Sequence, residues 1–209
     1  MYSDFEENLD KYAELIVKVG LNLQPGQRLL IGSPLFGGLT PLEAAPLVAR
    51  IAKRAYQSGA RFVDVIWTYS QLDLIRLQHA PRDSFSEYPA WQVNAALDYL
   101  SQGDALLIIA AGNPDLLKDQ DHDLIATMDQ TGFSHTQPIM NYIAQNGTNW
   151  LAVSAPVPGW AAKIYPDVPV EMQDAKLWDT FLKSAASNMP TRSPPGKAIF
   201  TNSCFGVTT

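Results

Sequence analysis

The sequence predicts an α/β fold: a mostly parallel sheet with helices on both faces, a Rossmann-like three-layer arrangement. Apolar runs of strand length alternate with segments of three-and-four periodicity, the pattern of βαβ units with right-handed crossovers. The run from Ala105 to Ala111 is unbroken, as a parallel strand covered on both faces requires. The chain has 209 residues, 46% of them hydrophobic, which suffices for one such domain and its core.

The elements follow in order. Phe5, Leu9, Tyr12, Ala13, Ile16 and Val19 form one stripe, predicting an amphipathic helix from Phe5 to Leu21 ended by Gly20 and Pro25-Gly26. Arg28 to Ser33 reads as a buried strand. Leu42 to Tyr56 reads as a helix with Leu47, Val48, Ile51 and Ala55 inward and Gly59 as its stop. Arg61 to Trp67 reads as a strand buried on both faces apart from Asp64. Ser70 is placed as the cap of a helix through Gln78, and Pro89 to Leu100 gives another. After the central strand, Asp104 to Ala111, helices are expected from Pro114 and again from about Gln137. Trp150 to Ser154 is a fourth strand, and a last helix covers Val170 to Ala186.

Composition excludes several classes of function. The chain carries 15 basic and 21 acidic residues, a net charge of −6, so it lacks the positive balance of a nucleic-acid binder. A lone cysteine, Cys204, excludes a disulfide framework and a cysteine-based zinc site. The longest apolar run is too short to cross a bilayer. The first residues are acidic where a signal peptide is basic and then apolar, so a cytoplasmic protein is expected. Charge also divides the chain. All 21 acidic and 13 of the 15 basic residues precede Ser187, giving that body −8, while residues 187–209 hold only Arg192 and Lys197. This last stretch has neither helical nor strand periodicity.

In an open α/β sheet, ligands bind beyond the carboxyl ends of the strands. Those ends carry Ser33 to Gly38, Trp67-Thr68-Tyr69, Asn113-Pro114-Asp115 and Ser154 to Trp160. The Gly37-Gly38 turn matches neither the dinucleotide nor the Walker pattern and reads as a plain connection. Asn113-Pro114-Asp115 has the form of a helix start at a place where a cleft would open. Asp119-Gln-Asp121-His122-Asp123 is the nearest thing to a metal-ligand cluster, yet no second group converges on it. It reads as a solvated acidic helix face with Asp119 and Asp123 on one side. His79 and His135 stand alone, and Cys204 has no paired histidine. Trp67, Asn113, Asp115 and Trp160 are the candidates for lining a cavity, and no catalytic constellation is visible.

Tyr12 to Gly20 followed by Gln24-Pro-Gly-Gln27 resembles the opening of the aminopeptidase T/aminopeptidase S family of thermophilic-type metallo-aminopeptidases. Further matches come in the family's order: Ala45 to Arg50, Ala55 to Ala60, His79-Ala-Pro81, Phe85 to Trp91, Asn113 to Asp119, Pro158 to Ala161 and Lys176-Leu-Trp178. The resemblance covers residues 5 to 186 and implies the N-terminal domain of a larger, homodimeric enzyme. Such enzymes remove N-terminal residues from peptides using two divalent metal ions (Zn, Co or Mn). It also implies that the metal ligands belong to the C-terminal half. No metal or catalytic residue is therefore assigned here, and no metal is expected on this chain alone. Peptides are the implied substrates, with no nucleic acid and no membrane as partners. The alternative is a non-enzymatic nucleotide- or small-molecule-binding module using the Gly37-Gly38 turn.

The domain expected is 1–186, with 187–209 an aberrant, disordered tail. After the Leu-Trp helix the family continues Asp/Asn-Pro-hydrophobic-x-Ala-Trp-x-x-His. One permissible coding of Thr191 to Ile199, read from its third base, gives Pro-Val-Ala-Ala-Trp-Gln-Ser-His. A reading-frame slip near Pro190 is the expectation that follows, and it makes this chain a truncated form of the enzyme.

Overall fold

The structure, a computed structural model, describes residues 2–35 and 39–187. At its centre lie four parallel strands: β1 (Arg28–Ile31), β3 (Phe62–Val65), β5 (Ala105–Ala110) and β6 (Trp150–Ser154). Their order is β3-β1-β5-β6. Two short strands, β2 (Thr40–Pro41) and β4 (Trp67–Thr68), pair in parallel beyond the carboxyl ends of β1 and β3. The helices are α1 (Tyr2–Leu15), α2 (Ala45–Gln57), α3 (Gln71–His79), α4 (Ala90–Ser101), α5 (His122–Ala144), α6 (Pro158–Ile164) and α7 (Val170–Ser187).

Alternation along the strands separates two cores. Leu29, Ile31, Leu107 and Ile109 meet Leu9 and Ala13 of α1, Leu47 and Ile51 of α2, and Trp178 and Leu182 of α7. Leu30, Leu106 and Ile108 point the other way, onto Val93 and Leu100 of α4 and Ile139 and Ile143 of α5. Each fully buried Leu or Ile contributes about 1.5–3 kcal/mol. The expected three-layer α/β fold is what the sheet and its two helical layers form.

A salt bridge ties the amino ends of the central strands. Asp104 Oδ1 accepts from the Arg28 backbone N–H at 2.7 Å, and Oδ2 accepts from Arg28 Nε at 2.6 Å. Asp104 is buried, so truncating it would strand a partly buried guanidinium.

Several elements differ from expectation, each for a physical reason. The first helix ends in a π turn, Ile16–Gly20, which adds a residue to the turn and rotates the stripe. Val17 is thereby fully buried while Val19, predicted inward, is 50% exposed. Strand β3 is an edge strand, not one buried on both faces: Val63 and Val65 pack on the α2 side, but Phe62 is 50% exposed. Ser70 holds the cap position of α3 without a side-chain cap bond. Residues 114–119 form turns instead of a helix. A single helix, α5, then runs through Pro138, where the sequence suggested a new start near Gln137. Asp119 and Asp123 therefore do not share a helix face. Residues 188–209 and the Gly37-Gly38 turn lie outside the described residues, and with them the expectations placed on the tail and on a phosphate cradle.

Candidate functional site

Between the parallel strands β1 and β5 the order of connections reverses, the place where an open α/β sheet makes its crevice. Here the chain after β1 returns across that point. Gly32 N–H donates to Leu107 O at 2.8 Å, and Thr40 N–H donates to Ile66 O at 3.0 Å. Gly32 has φ +96°, and a Cβ there would lie 2.6 Å from Ile66 O and 2.7 Å from Thr40 Oγ1. Only glycine fits this crossing. The opening that remains is displaced by one strand, to the carboxyl ends of β5 and β6.

That cleft has a volume of about 300 Å³ and is lined by Ala110, Ala111, Gly112, Asn113, Pro114, Ser154 and Trp160. The strands hold it rigidly, with Ala110 in register with Ser154. Asn113 Oδ1 accepts from the Asp115 N–H at 3.0 Å, closing an Asx turn at the end of β5. Helix α6 starts with Pro158 at its first turn, so no backbone donor is wasted there. Gly159 lets that turn lie directly on Asn113, since a Cβ would fall 2.5 Å from Asn113 Cβ. Lys163 Nζ then donates to Asp115 Oδ1 at 2.7 Å, fastening α6 to the 113–115 turn. The same hydrogen bond lowers the Asp115 carboxyl below its ordinary range.

Three of the four sequence candidates thus gather at one place. Asn113 and Trp160 line the cleft, and Asp115 sits beside it as the strut to Lys163. Trp67 stands elsewhere, in a second cleft of about 260 Å³ with Asp64, Trp91 and Tyr99. Helix α6 and Lys163 escaped the sequence reading, although Pro158 after an extended Val157 was a signal for a helix start.

The lining decides what the first cleft can do. It offers amide, hydroxyl and aromatic surface but no acid, base or activated nucleophile, so it can hold and orient a ligand without reacting with it. The acidic segment has a structural role. Asp121 Oδ1 accepts from the N–H groups of Asp123 and Leu124 as the N-cap of α5, and Oδ2 pairs with Arg82 at 2.7 Å. That pairing comes first among the causes that lower its pKa. His135 stacks on Tyr88 at 4.8 Å between ring centroids. Among the described residues no three His, Cys, Asp or Glu side chains come together to hold a metal ion. No helix among them is long and apolar enough to cross a membrane.

Comparison with known proteins supplies the family. A curated relative, aminopeptidase 2 of Geobacillus stearothermophilus, is 44% identical over 182 residues, covering 86% of this chain and 42% of its own length. Aminopeptidase T of Thermus thermophilus is 29% identical over 184 residues, 88% of this chain and 43% of its own. A solved structure of wild-type AmpT from Thermus thermophilus superposes with a TM-score of 0.79 at 29% identity, covering 86% of this chain and 44% of that one. The chain therefore spans less than half the length of the curated relatives it matches. The family model described as thermophilic metalloprotease (M29) matches residues 5–192, and the chain belongs to that family.

Proposed function

We propose that this chain forms the N-terminal α/β portion of a metal-dependent aminopeptidase, and that it walls the cavity in which a peptide N-terminus is held. The superposition on aminopeptidase T carries this reading. Family membership does not favour a stand-alone nucleotide-binding module. In the proposed role Asn113 offers its side-chain amide to the peptide and Trp160 packs against an apolar side chain. Asp115 keeps both in place through Lys163. Trp67 flanks the cavity from the second cleft.

A metalloprotease family implies a divalent metal. The described residues do not fit a two-metal centre. We assign the metals, whether Zn, Co or Mn, to the remainder of the full-length enzyme, together with its homodimer contacts. A cytoplasmic location with no membrane or nucleic-acid partner completes the proposal. In this proposal residues 1–186 form the domain, and the part of 187–209 beyond about Pro190 is the product of a frame slip. Genomic codons unable to encode the family sequence in the shifted frame would remove that last element.

The proposal predicts that the purified 209-residue chain releases no p-nitroaniline from Leu-p-nitroanilide, with or without added Zn, Co or Mn. Metal-dependent turnover above a mock preparation would show that the chain carries its own catalytic centre.

A further inference from the structure

The second cleft has a chemistry of its own. It opens where α4 covers β1 but leaves the edge strand β3 bare on that face. Trp91, Ala95 and Tyr99 follow each other at i, i+4 and i+8 along α4 and form one wall. Asp64, in register with Leu30, and Trp67 form the other. Trp91 is 59% and Trp67 39% exposed, a large aromatic surface to leave in water.

Asp64 is the only carboxyl side chain in this lining, and it is exposed. Its Oδ1 accepts from the Val65 N–H at 2.8 Å, and Tyr99 lines the same cleft. Burial first, and then the Asp64 charge, push the Tyr99 phenol upward. A carboxylate has about four acceptor sites, so this bond leaves capacity open. Among the described residues no Lys or Arg forms an ion pair with Asp64. The nearby Arg28 is engaged elsewhere: it lies over the Tyr99 ring at 4.2 Å and bonds to Asp104 and Asp98. The fold thus already holds a guanidinium on Tyr99, and beside it leaves two indoles and a carboxylate with no cation.

We propose that this cleft binds an organic cation, the ammonium or guanidinium group of a peptide, between Trp67 and Trp91 with Asp64 as its counter-charge. Indole faces attract such cations, and the carboxylate adds direction. The volume, about 260 Å³, suits the end of one side chain or one amino terminus. The site adjoins the cavity of the proposed function through Trp67, and because its test requires no turnover, its failure is distinguishable from a failure of the peptidase reading.

Isothermal titration of the 209-residue chain decides it. The probes are Nα-acetyl-lysine-N-methylamide, its arginine counterpart, leucinamide, and the neutral Nα-acetyl-norleucine-N-methylamide. At least one cationic probe is expected to bind saturably and about fivefold or more tighter than the norleucine probe. Binding of the acetylated probes identifies a basic side chain as the ligand, and binding of leucinamide identifies an α-ammonium. Asp64→Asn and Trp91→Ala should each weaken that binding about threefold or more, with circular dichroism unchanged. Trp91 is exposed enough for its variant to fold. Equal binding of the norleucine probe, no saturable binding of any cation, or unchanged affinity in both variants would overturn the site.

Discussion

At the scale of single residues, strain and unmet hydrogen bonds decide what each position tolerates. Burial raises the Asp174 carboxyl above its ordinary range, and its Oδ1 is buried without a hydrogen-bond partner. A carboxyl with a raised folded pKa costs stability at neutral pH, and that cost fades as pH falls through the folded value. Asp174→Asn is therefore expected to raise Tm by about 2 °C at pH 7, with the gain lost below the ordinary carboxylate range. An equal gain at both pH values would point to a cause other than ionisation. Gly32→Ala places a methyl against Ile66 O and Thr40 Oγ1 in a left-handed conformation. A loss of about 3 kcal/mol in urea unfolding is expected, and a neutral result would mean that the crossing over β1 relaxes freely.

At the scale of elements, the strands beside the core were the easiest to read. Ala105 to Ala111 is uniformly apolar because β5 is covered on both faces, and that coverage is a local property of composition. Strand β3 is almost as apolar, yet it lies at the sheet edge, because strand order is fixed by crossovers and not by composition. Pro138 misled for a different reason. It removes one backbone donor and costs a helix about 3 kcal/mol, but it faces solvent while Thr136, Ile139 and Ile143 are buried, and their packing carries the helix through. The π turn after α1 was equally invisible, since one added residue shifts phase without any marker residue. The start of α5 can be tested. Asp121→Ala removes its cap and the Arg82 contact, and should cost about 1 kcal/mol in chemical denaturation. No loss would mean that the helix start is held by the satellite core of Leu77, Phe85 and Leu124 alone.

The candidate site was legible only in part, and its residues show why. Asn113 and Asp115 could be placed because they follow a strand whose carboxyl end was evident. Trp160 could be placed because it follows β6. The salt bridge from Lys163 to Asp115 joins residues 48 apart in sequence and has no local signature. The aromatic cleft combines α4 with the sheet edge, so its parts could be named from sequence but not assembled.

At the scale of the whole molecule, the chain carries a net charge of −6 and the cleft at the ends of β5 and β6 is lined without an acid or base. The relatives are more than twice as long, and the superposition on AmpT covers 44% of that chain. In the proposed function, residues 1–186 supply a cavity wall that a metal-bearing remainder completes. The direct measurement is the kcat/KM for Leu-p-nitroanilide of a chimera joining residues 1–186 to the unmatched remainder of aminopeptidase 2 from Geobacillus stearothermophilus. Metal-dependent turnover is expected, falling about tenfold or more in the chimera carrying Asn113→Ala and Trp160→Ala together. A folded chimera with no turnover, or one whose kcat/KM is unchanged by both substitutions, would contradict it.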